Sequence, residues 1–490
     1  MNTIDFIIFI LFTVGVVIFG CSFFRKTSSV EEFTSAGHSL PGWLVGMSIF
    51  ATYVSSISYI GYPGKAFAGN WNAFVFSLSI PIASYFASKY FVPFYRTSGN
   101  MSAYAFLEDR FGKWARIYAS ACYLLTQIAR MGSILYLLAV PMYILMGWNI
   151  HFVILATGFS IIVYSMLGGI KAVIWTDAIQ GFLLIGGALL CLILLFIGMP
   201  DGPTQVFSLA IDSPQGNKFS LGSFSGDLTE STFWVCLIYG IFINLQNYGI
   251  DQNYVQRYHT ARNMKAAKFS ALFGGYLFIP VSALFFLIGT ALYSYYTAHP
   301  GLLPESLAMK PDYVFPYFIV NGLPVGLRGL LIASIFAAGM STVATSITSS
   351  STIILADYFR PFCKKQDNRR DLRILHVASV IVGCIGICVA IAMLRVESII
   401  DAWWTLSSIF SGGMLGLFLL GFVVKKARCP HALIGVLLGV VVIAWISLAD
   451  MLDLPGIHLH EYLAIVFGTI VIFLTGFLMS IIFQPKKEKK

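Results

Sequence analysis

Long apolar runs separated by short polar joints make up almost the whole chain. Runs able to cross the ~30 Å hydrocarbon core of a bilayer fall at 5–24, 43–62, 73–93, 117–145, 151–168, 172–198, 232–250, 269–293, 325–356, 374–394, 402–424, 430–449 and 462–483. The pattern predicts an all-α integral membrane protein of thirteen transmembrane helices. One run breaks the rule. Pro41 to Lys65 reads PGWLVGMSIFATYVSSISYIGYPGK, carrying Thr52, Ser55, Ser56 and Ser58 at mid-depth and ending at Gly61-Tyr62-Pro63-Gly64. Hydroxyls in hydrocarbon are costly unless each finds a partner, and they offer the backbone an alternative to helix. Non-helical backbone at that depth is tolerated only inside protein or along a watery cavity. Transporters use such interrupted helices to present carbonyls to a cation and helix ends to an anion. A continuous helix with its hydroxyls bonded back to the preceding turn is the plain alternative, and residues elsewhere in the chain choose between the two.

A second polar, glycine-interrupted span follows five spans later. It holds Asn244, Gln246 and Asn247 within the membrane, with Asp251, Gln252, Gln256 and Arg257 placed at its inner mouth. Matching defects in two groups of five spans are what an inverted repeat produces. In the run 325–356, Ala338, Ser341, Thr342, Thr345 and Ser349 share one helical face. Faces of small residues commonly serve close helix packing. Adjacent Ser341 and Thr342 also offer the oxygen ligands a hard cation takes. With carbonyls from Ala51 and Val54 they would complete an all-oxygen cage of Na⁺ size, in which no group titrates near neutrality to suit a proton.

Composition fits this picture: 11% of the 490 residues are charged and 58% hydrophobic, and mean hydropathy is +0.80. A soluble domain carries about a quarter charged residues. The net charge of +9 would otherwise suggest a nucleic-acid partner, but it belongs to one membrane face. With the N-terminus outside, 25 of the 31 Lys and Arg fall in inner segments, five in outer ones, and Arg130 inside a span. That asymmetry orients the chain, with the C-terminus cytoplasmic. The first run lacks a basic leader and a cleavage site and is expected to be retained as a span. Eight cysteines without a CxxC pair suggest neither zinc nor a disulfide framework. The histidines lie at or beyond span ends, which argues against a metal site or proton relay. No GxxxxGK[ST] loop marks ATP as the energy source, and no nucleophile–base pair marks an enzyme, so a gradient is expected to drive any transport.

Two charges fall deep inside spans. Arg130 lies roughly a dozen residues from either end of its run, about 18 Å from an interface and beyond snorkelling reach. An arginine there costs at least ~2.5–3.5 kcal/mol and marks a functional site by default. Its fork suits a substrate carboxylate held by two parallel bonds. The alternative is an internal salt bridge, for which Asp177 is the deep acidic candidate. Asp177, about 9 Å inside its span at helical rise, must pair, protonate or hold a cation.

From 5 to 483 the chain resembles the sodium:solute symporter family, on VEEFTSAGHSLPGW before the interrupted run, WTDAIQG, DQNYVQRY and AAGMST. Within that family FATYVSSISYIGYPGKAF, QIAR and VIWTDAIQG are most similar to bacterial sialic acid (N-acetylneuraminate) symporters. The resemblance implies one transmembrane transporter domain with a LeuT-like core of two inverted five-helix halves, 41–198 and 232–424, after one extra span (5–24) and before two more (430–483). It implies a first Na⁺ site from the carbonyls of Ala51, Val54 and Ala338 with the hydroxyls of Ser341 and Thr342. A second would use Asp177, Ser341 and Thr345, with Ala344 standing where those relatives tend to carry a hydroxyl. For substrate it implies Ser55, Ser58 and Arg130 on the carboxylate, Ser56 beside them in the substrate site, and Asn244 and Gln246 lining the cavity. Tyr53, Ala73 and Ser77, in place of a Thr, a Phe and a Gln, would touch the rest of the sugar. The implied activity is import of an anionic sugar acid, sialic acid foremost, by alternating access with one or two Na⁺ as coupling ions. No organic cofactor is implied; the protein would act as a monomer in the lipid bilayer of a bacterial inner (plasma) membrane. Another cargo (proline, a different monocarboxylate or sugar), or a proton-coupled amino-acid permease of like architecture, is the alternative.

Overall fold

The computed structural model describes residues 2–24, 27–363, 367–395, 412–448 and 459–483. Among these the regular elements are helical, with one isolated bridge between Leu40 and Ala261. Ten helices are long and apolar enough to cross a membrane, and eleven when the bent pair Gly42–Tyr53 and Ser58–Ala68 counts as one span. The hydropathy pattern predicts thirteen, and the difference has two sources. The run 402–424 lies partly outside the described residues, its described part forming the helix Met414–Val423. The runs 151–168 and 172–198 join into one 48-residue element, Ile150–Ile197.

That element would rise about 72 Å if straight, more than twice the hydrocarbon core. Its backbone turns at Gly169, where φ 56° and ψ −159° leave the helical region. Only glycine adopts that conformation readily. Space demands glycine too, because a Cβ at Gly169 would lie 2.9 Å from the Cα and carbonyl oxygen of Phe33. Gly169→Ala is therefore expected to destabilise the fold by about 1–3 kcal/mol from backbone strain alone, read as a lowered unfolding temperature in detergent.

The helix Leu327–Ile353 sits at the centre, buried nearly end to end. Its Ser, Thr, Ala and Gly residues let neighbours approach closely; Ile150–Ile197, the Gly42–Tyr53 arm and Thr3–Cys21 all pack on it. Asp5 of the first helix docks on its start, accepting from the Gly326 N–H at 2.6 Å and the Gly329 N–H at 3.2 Å. A carboxylate there satisfies amides that a helix N-terminus leaves open. Large apolar side chains such as Leu11, Phe159, Ile197 and Val441 are exposed on the periphery, as a lipid-facing surface requires.

Candidate functional site

Two helices break beside one another. In the first, the hydrogen-bond ladder stops where the Val54 N–H meets the Phe50 carbonyl at 3.0 Å, and it resumes where the Tyr59 N–H meets the Ser55 carbonyl at 3.0 Å. Val54 and Ser55 are extended between them (ψ 105° and 174°), and the two arms diverge by 54°. The carbonyls of Ala51 and Val54 thus fall in the interrupted turn. The Gly61–Gly64 stretch, expected to end the run, does not: the second arm continues from Ser56 to Ala68 through Pro63. Proline removes one donor from the ladder, and here the helix absorbs that loss. The second break is at Asp251, extended at φ −75° and ψ 127°, whose carboxylate caps the next helix by accepting from the Asn253 N–H at 2.7 Å. Beyond it Gln252–Thr260 is buried throughout. The polar segment expected at a solvated inner mouth is therefore an internal helix carrying Arg257.

A cavity of about 820 Å³ lies at the breaks. Tyr53, Ser55, Ser58, Ala73, Arg130 and Gln246 line it, as the sequence suggests. Arg130 is half-buried, donates from Nη2 to the Thr52 carbonyl at 3.3 Å, and makes no ion pair among the described residues. Its guanidinium is thus tied to the broken turn yet open to a ligand. Two expected lining residues stand behind the wall instead. Ser77 is fully buried against Ser282, Oγ to Oγ 2.7 Å. Asn244 donates to Ser79 Oγ at 2.8 Å and accepts from the Tyr53 hydroxyl, so it positions Tyr53 rather than meeting a ligand. The Ser56 side chain lies outside the described residues. Asp251, Tyr123, Gln127 and Tyr254 also line the cavity, unannounced by their spacing. At one end it reaches Lys65, Asn72, Ser231 and Glu461, beside the loop 199–231.

Next to the break, the first arm meets the central helix, with Thr52 Oγ1 3.3 Å from Thr345 Oγ1. Ala51, Val54, Ala338, Ser341 and Thr342 are all buried there. The Thr342 hydroxyl donates to the Ala338 carbonyl at 3.2 Å and the Ser341 hydroxyl to Asp177 Oδ1 at 2.7 Å. Both protons are spoken for, which leaves oxygen lone pairs for a cation. These five residues offer oxygens of the kind a hard cation takes.

The other cation set is differently placed. Asp177 is fully buried in an ion pair with Arg257, Nη2 to Oδ2 2.8 Å, and Oδ2 also accepts from Ser48. The same guanidinium donates to Thr345 Oγ1 at 2.6 Å, to Ser48 Oγ at 2.7 Å and to the Asn253 carbonyl at 2.8 Å. The Ala344 carbonyl accepts from Thr348 Oγ1 at 2.8 Å. Asp177 thus pairs with Arg257, and Arg130 is left for the cavity. The restart capped at Asp251 places Asn253 and Arg257 one helical turn apart, the one sequence signal that could have placed that arginine inside.

Comparison with known proteins identifies the family. The model of the sodium:solute symporter family matches residues 33–439. The chain is 31% identical to the sodium/sialic acid symporter NanT of Aliivibrio fischeri, across 99% of this chain and 94% of that one. It is 30% identical to the sodium/sialic acid symporter SiaT of Proteus mirabilis, across 99% and 96%. It matches the solved structure of a Na⁺-coupled sialic acid symporter in a substrate-bound, outward-open state with a TM-score of 0.92 and 29% identity, covering 100% of this chain and 99% of that one. A family match spanning most of the chain, relatives aligned end to end and a shared fold lead to one conclusion: the chain belongs to the sodium:solute symporter family.

Proposed function

We propose that this protein is a Na⁺-coupled symporter that imports sialic acid, an anionic sugar acid, across a bacterial plasma membrane by alternating access. The observation that carries the proposal is Arg130: a mid-membrane guanidinium without an ion-pair partner among the described residues, facing a cavity beside a broken helix. The relatives' cargo supports the choice of anion. Ser55, Ser58 and Arg130 receive the carboxylate, while Tyr53, Ala73 and Gln246 border the rest of the sugar. The carbonyls of Ala51, Val54 and Ala338 and the hydroxyls of Ser341 and Thr342 hold Na⁺. Thirteen spans in a LeuT-like 5+5 arrangement, with the N-terminus outside, put the mouth beside the loop 199–231 on the outer face, so the cavity described is the outward-facing one. Na⁺ binding across the broken arm and the central helix holds that form together, and closure over the anion then carries both inward.

The test is uptake of labelled N-acetylneuraminic acid into proteoliposomes. Accumulation is expected only with an inward Na⁺ gradient. Uptake that ignored Na⁺ and followed pH, or competition by proline but not by sialic acid, would overturn the proposal. Thr342→Ala removes one of the five Na⁺ oxygens and leaves the cavity intact. It is expected to raise the Na⁺ concentration for half-maximal uptake about tenfold, the equivalent of ~1.4 kcal/mol, with little change in sialic acid affinity at saturating Na⁺. Initial rates across a Na⁺ series check it.

A further inference from the structure

Arg130 belongs to a stripe. Tyr123, Thr126, Gln127 and Arg130 follow at helical spacing on Lys113–Met146, and all four line the cavity. Gln127 lies one turn from Arg130 toward the Lys113 end, about 4.5 Å along the axis, and is 1% exposed. Its carboxamide is held in one orientation, because Oε1 accepts from the Ser346 hydroxyl of the central helix at 2.7 Å. That bond commits the acceptor end. Nε2 has no hydrogen-bond partner among the described residues, so Gln127 has N–H donors left to offer.

An open acceptor stands near them. The Tyr123 hydroxyl donates to Asn253 Oδ1 at 3.0 Å, and the Asn253 N–H donates to Asp251 Oδ1 at 2.7 Å. Asp251 therefore enters the cavity wall beside the Tyr123 half of the stripe. Its second oxygen takes no hydrogen bond among the described residues. An ionised carboxylate only accepts, and it repels a substrate carboxylate toward Arg130. The cavity is thus polarised, with a cation at Arg130 and, further along, free donors at Gln127 and a free acceptor at Asp251. Desolvating both by closure is costly unless the ligand meets each with its own complement. A secondary amide does so, with a carbonyl and an N–H.

We propose that Gln127 and Asp251 form a subsite for the N-acyl amide of the sugar acid, Gln127 donating to the amide carbonyl and Asp251 accepting from the amide N–H. The transporter then selects N-acylated over deaminated sialic acids. This rests on the sialic acid cargo proposed above and adds which part of it is read. In N-acetylneuraminic acid the amide sits across the ring from the carbon bearing the carboxylate, so anchoring at Arg130 sends the amide away from the guanidinium. The Tyr123 hydroxyl is committed to Asn253 and, at 2.7 Å, to Ser349, which leaves its ring as an apolar wall for the acyl methyl.

The test compares binding of N-acetylneuraminic acid and of ketodeoxynonulosonic acid, which carries a hydroxyl in place of the amide, to the purified protein at saturating Na⁺. The wild type is expected to prefer the amide about tenfold to a hundredfold, as one or two hydrogen bonds would give. Gln127→Leu is expected to narrow that ratio about tenfold, weakening the amide ligand and leaving its analogue nearly unchanged. Asp251→Ser keeps a side-chain helix cap but withdraws the acceptor, and is expected to narrow the ratio likewise. The ratio is the readout because a loosened fold or an altered field at Arg130 shifts both ligands together. Equal wild-type affinities, or an unchanged ratio in either folded variant, would overturn the subsite. Binding of neither compound would refute the cargo as well. Should Gln127→Leu fail to fold, Ser346→Ala, which frees the carboxamide to turn, is expected to narrow the ratio severalfold, and an unchanged ratio there would overturn the role of Gln127.

Discussion

Arg130→Ala is expected to abolish measurable sialic acid binding while sparing Na⁺ binding. The guanidinium is the proposed cationic anchor of a cavity about 820 Å³ in volume, and its one hydrogen bond among the described residues, to the Thr52 carbonyl at 3.3 Å, leaves most of its donors for a ligand. Removing one partner of a desolvated, hydrogen-bonded charge pair costs about 2–5 kcal/mol or more, much of it from the charge left without a partner. That is a loss of roughly thirtyfold to several thousandfold in affinity. Arg130→Lys keeps the charge but not the planar fork, so it is expected to recover only part of the loss. Na⁺ binding is expected to be spared because Arg130 touches the interrupted turn through Thr52, whereas the proposed cage uses the carbonyls of Ala51 and Val54. Thermal-shift titrations with each ligand separate the two effects. Normal substrate affinity in Arg130→Ala would refute the anchor.

The fold was legible in the sequence to the extent that each element carried its own physical signal. Hydroxyls at mid-depth mark the break at Val54 and Ser55, since no lipid-facing helix would keep them. The turn within Ile150–Ile197 was readable as a joint between two runs, although hydrogen bonding continues through Gly169. Which way a buried side chain points was not legible. Ser77 and Asn244 lie on the inward sides of spans whose other sides are exposed, and an inward side reads the same in the spacing whether it meets a cavity or a neighbouring helix. One face meets the cavity and the next meets Ser282 or Ser79. Asp251 and Arg257 were misplaced for a different reason. A polar run after an apolar span reads as a solvated mouth, but these residues follow a backbone break and re-enter the core. Each then finds an internal partner: the Asn253 amide for one, Asp177 for the other. A broken helix hides its second arm because polar groups inside a protein and in water give the same hydropathy.

Asp177→Ala is expected to be the most destabilising of these substitutions, by about 3–5 kcal/mol, the usual cost of breaking a buried pair and leaving one charge behind. Arg257 would keep its bonds to Ser48, Thr345 and Asn253 but lose the carboxylate that neutralises it in a site without water access. Removing both charges together, as in Asp177→Leu with Arg257→Met, is expected to restore most of that loss, because two desolvation penalties vanish with the attraction. Unfolding temperatures of Asp177→Leu, Arg257→Met and the double, followed in detergent, give the coupling directly. If Asp177→Ala melts with the wild type, the pair is not holding these helices together and its energetic role is refuted. A double variant as stable as the wild type that still fails to transport would carry a different meaning. Apolar side chains of similar volume would then hold the helices as well as the ion pair does, and the pair would owe its presence to the cation it fixes beside Ser341, between the first broken arm and the central helix, where the Na⁺ cage is built.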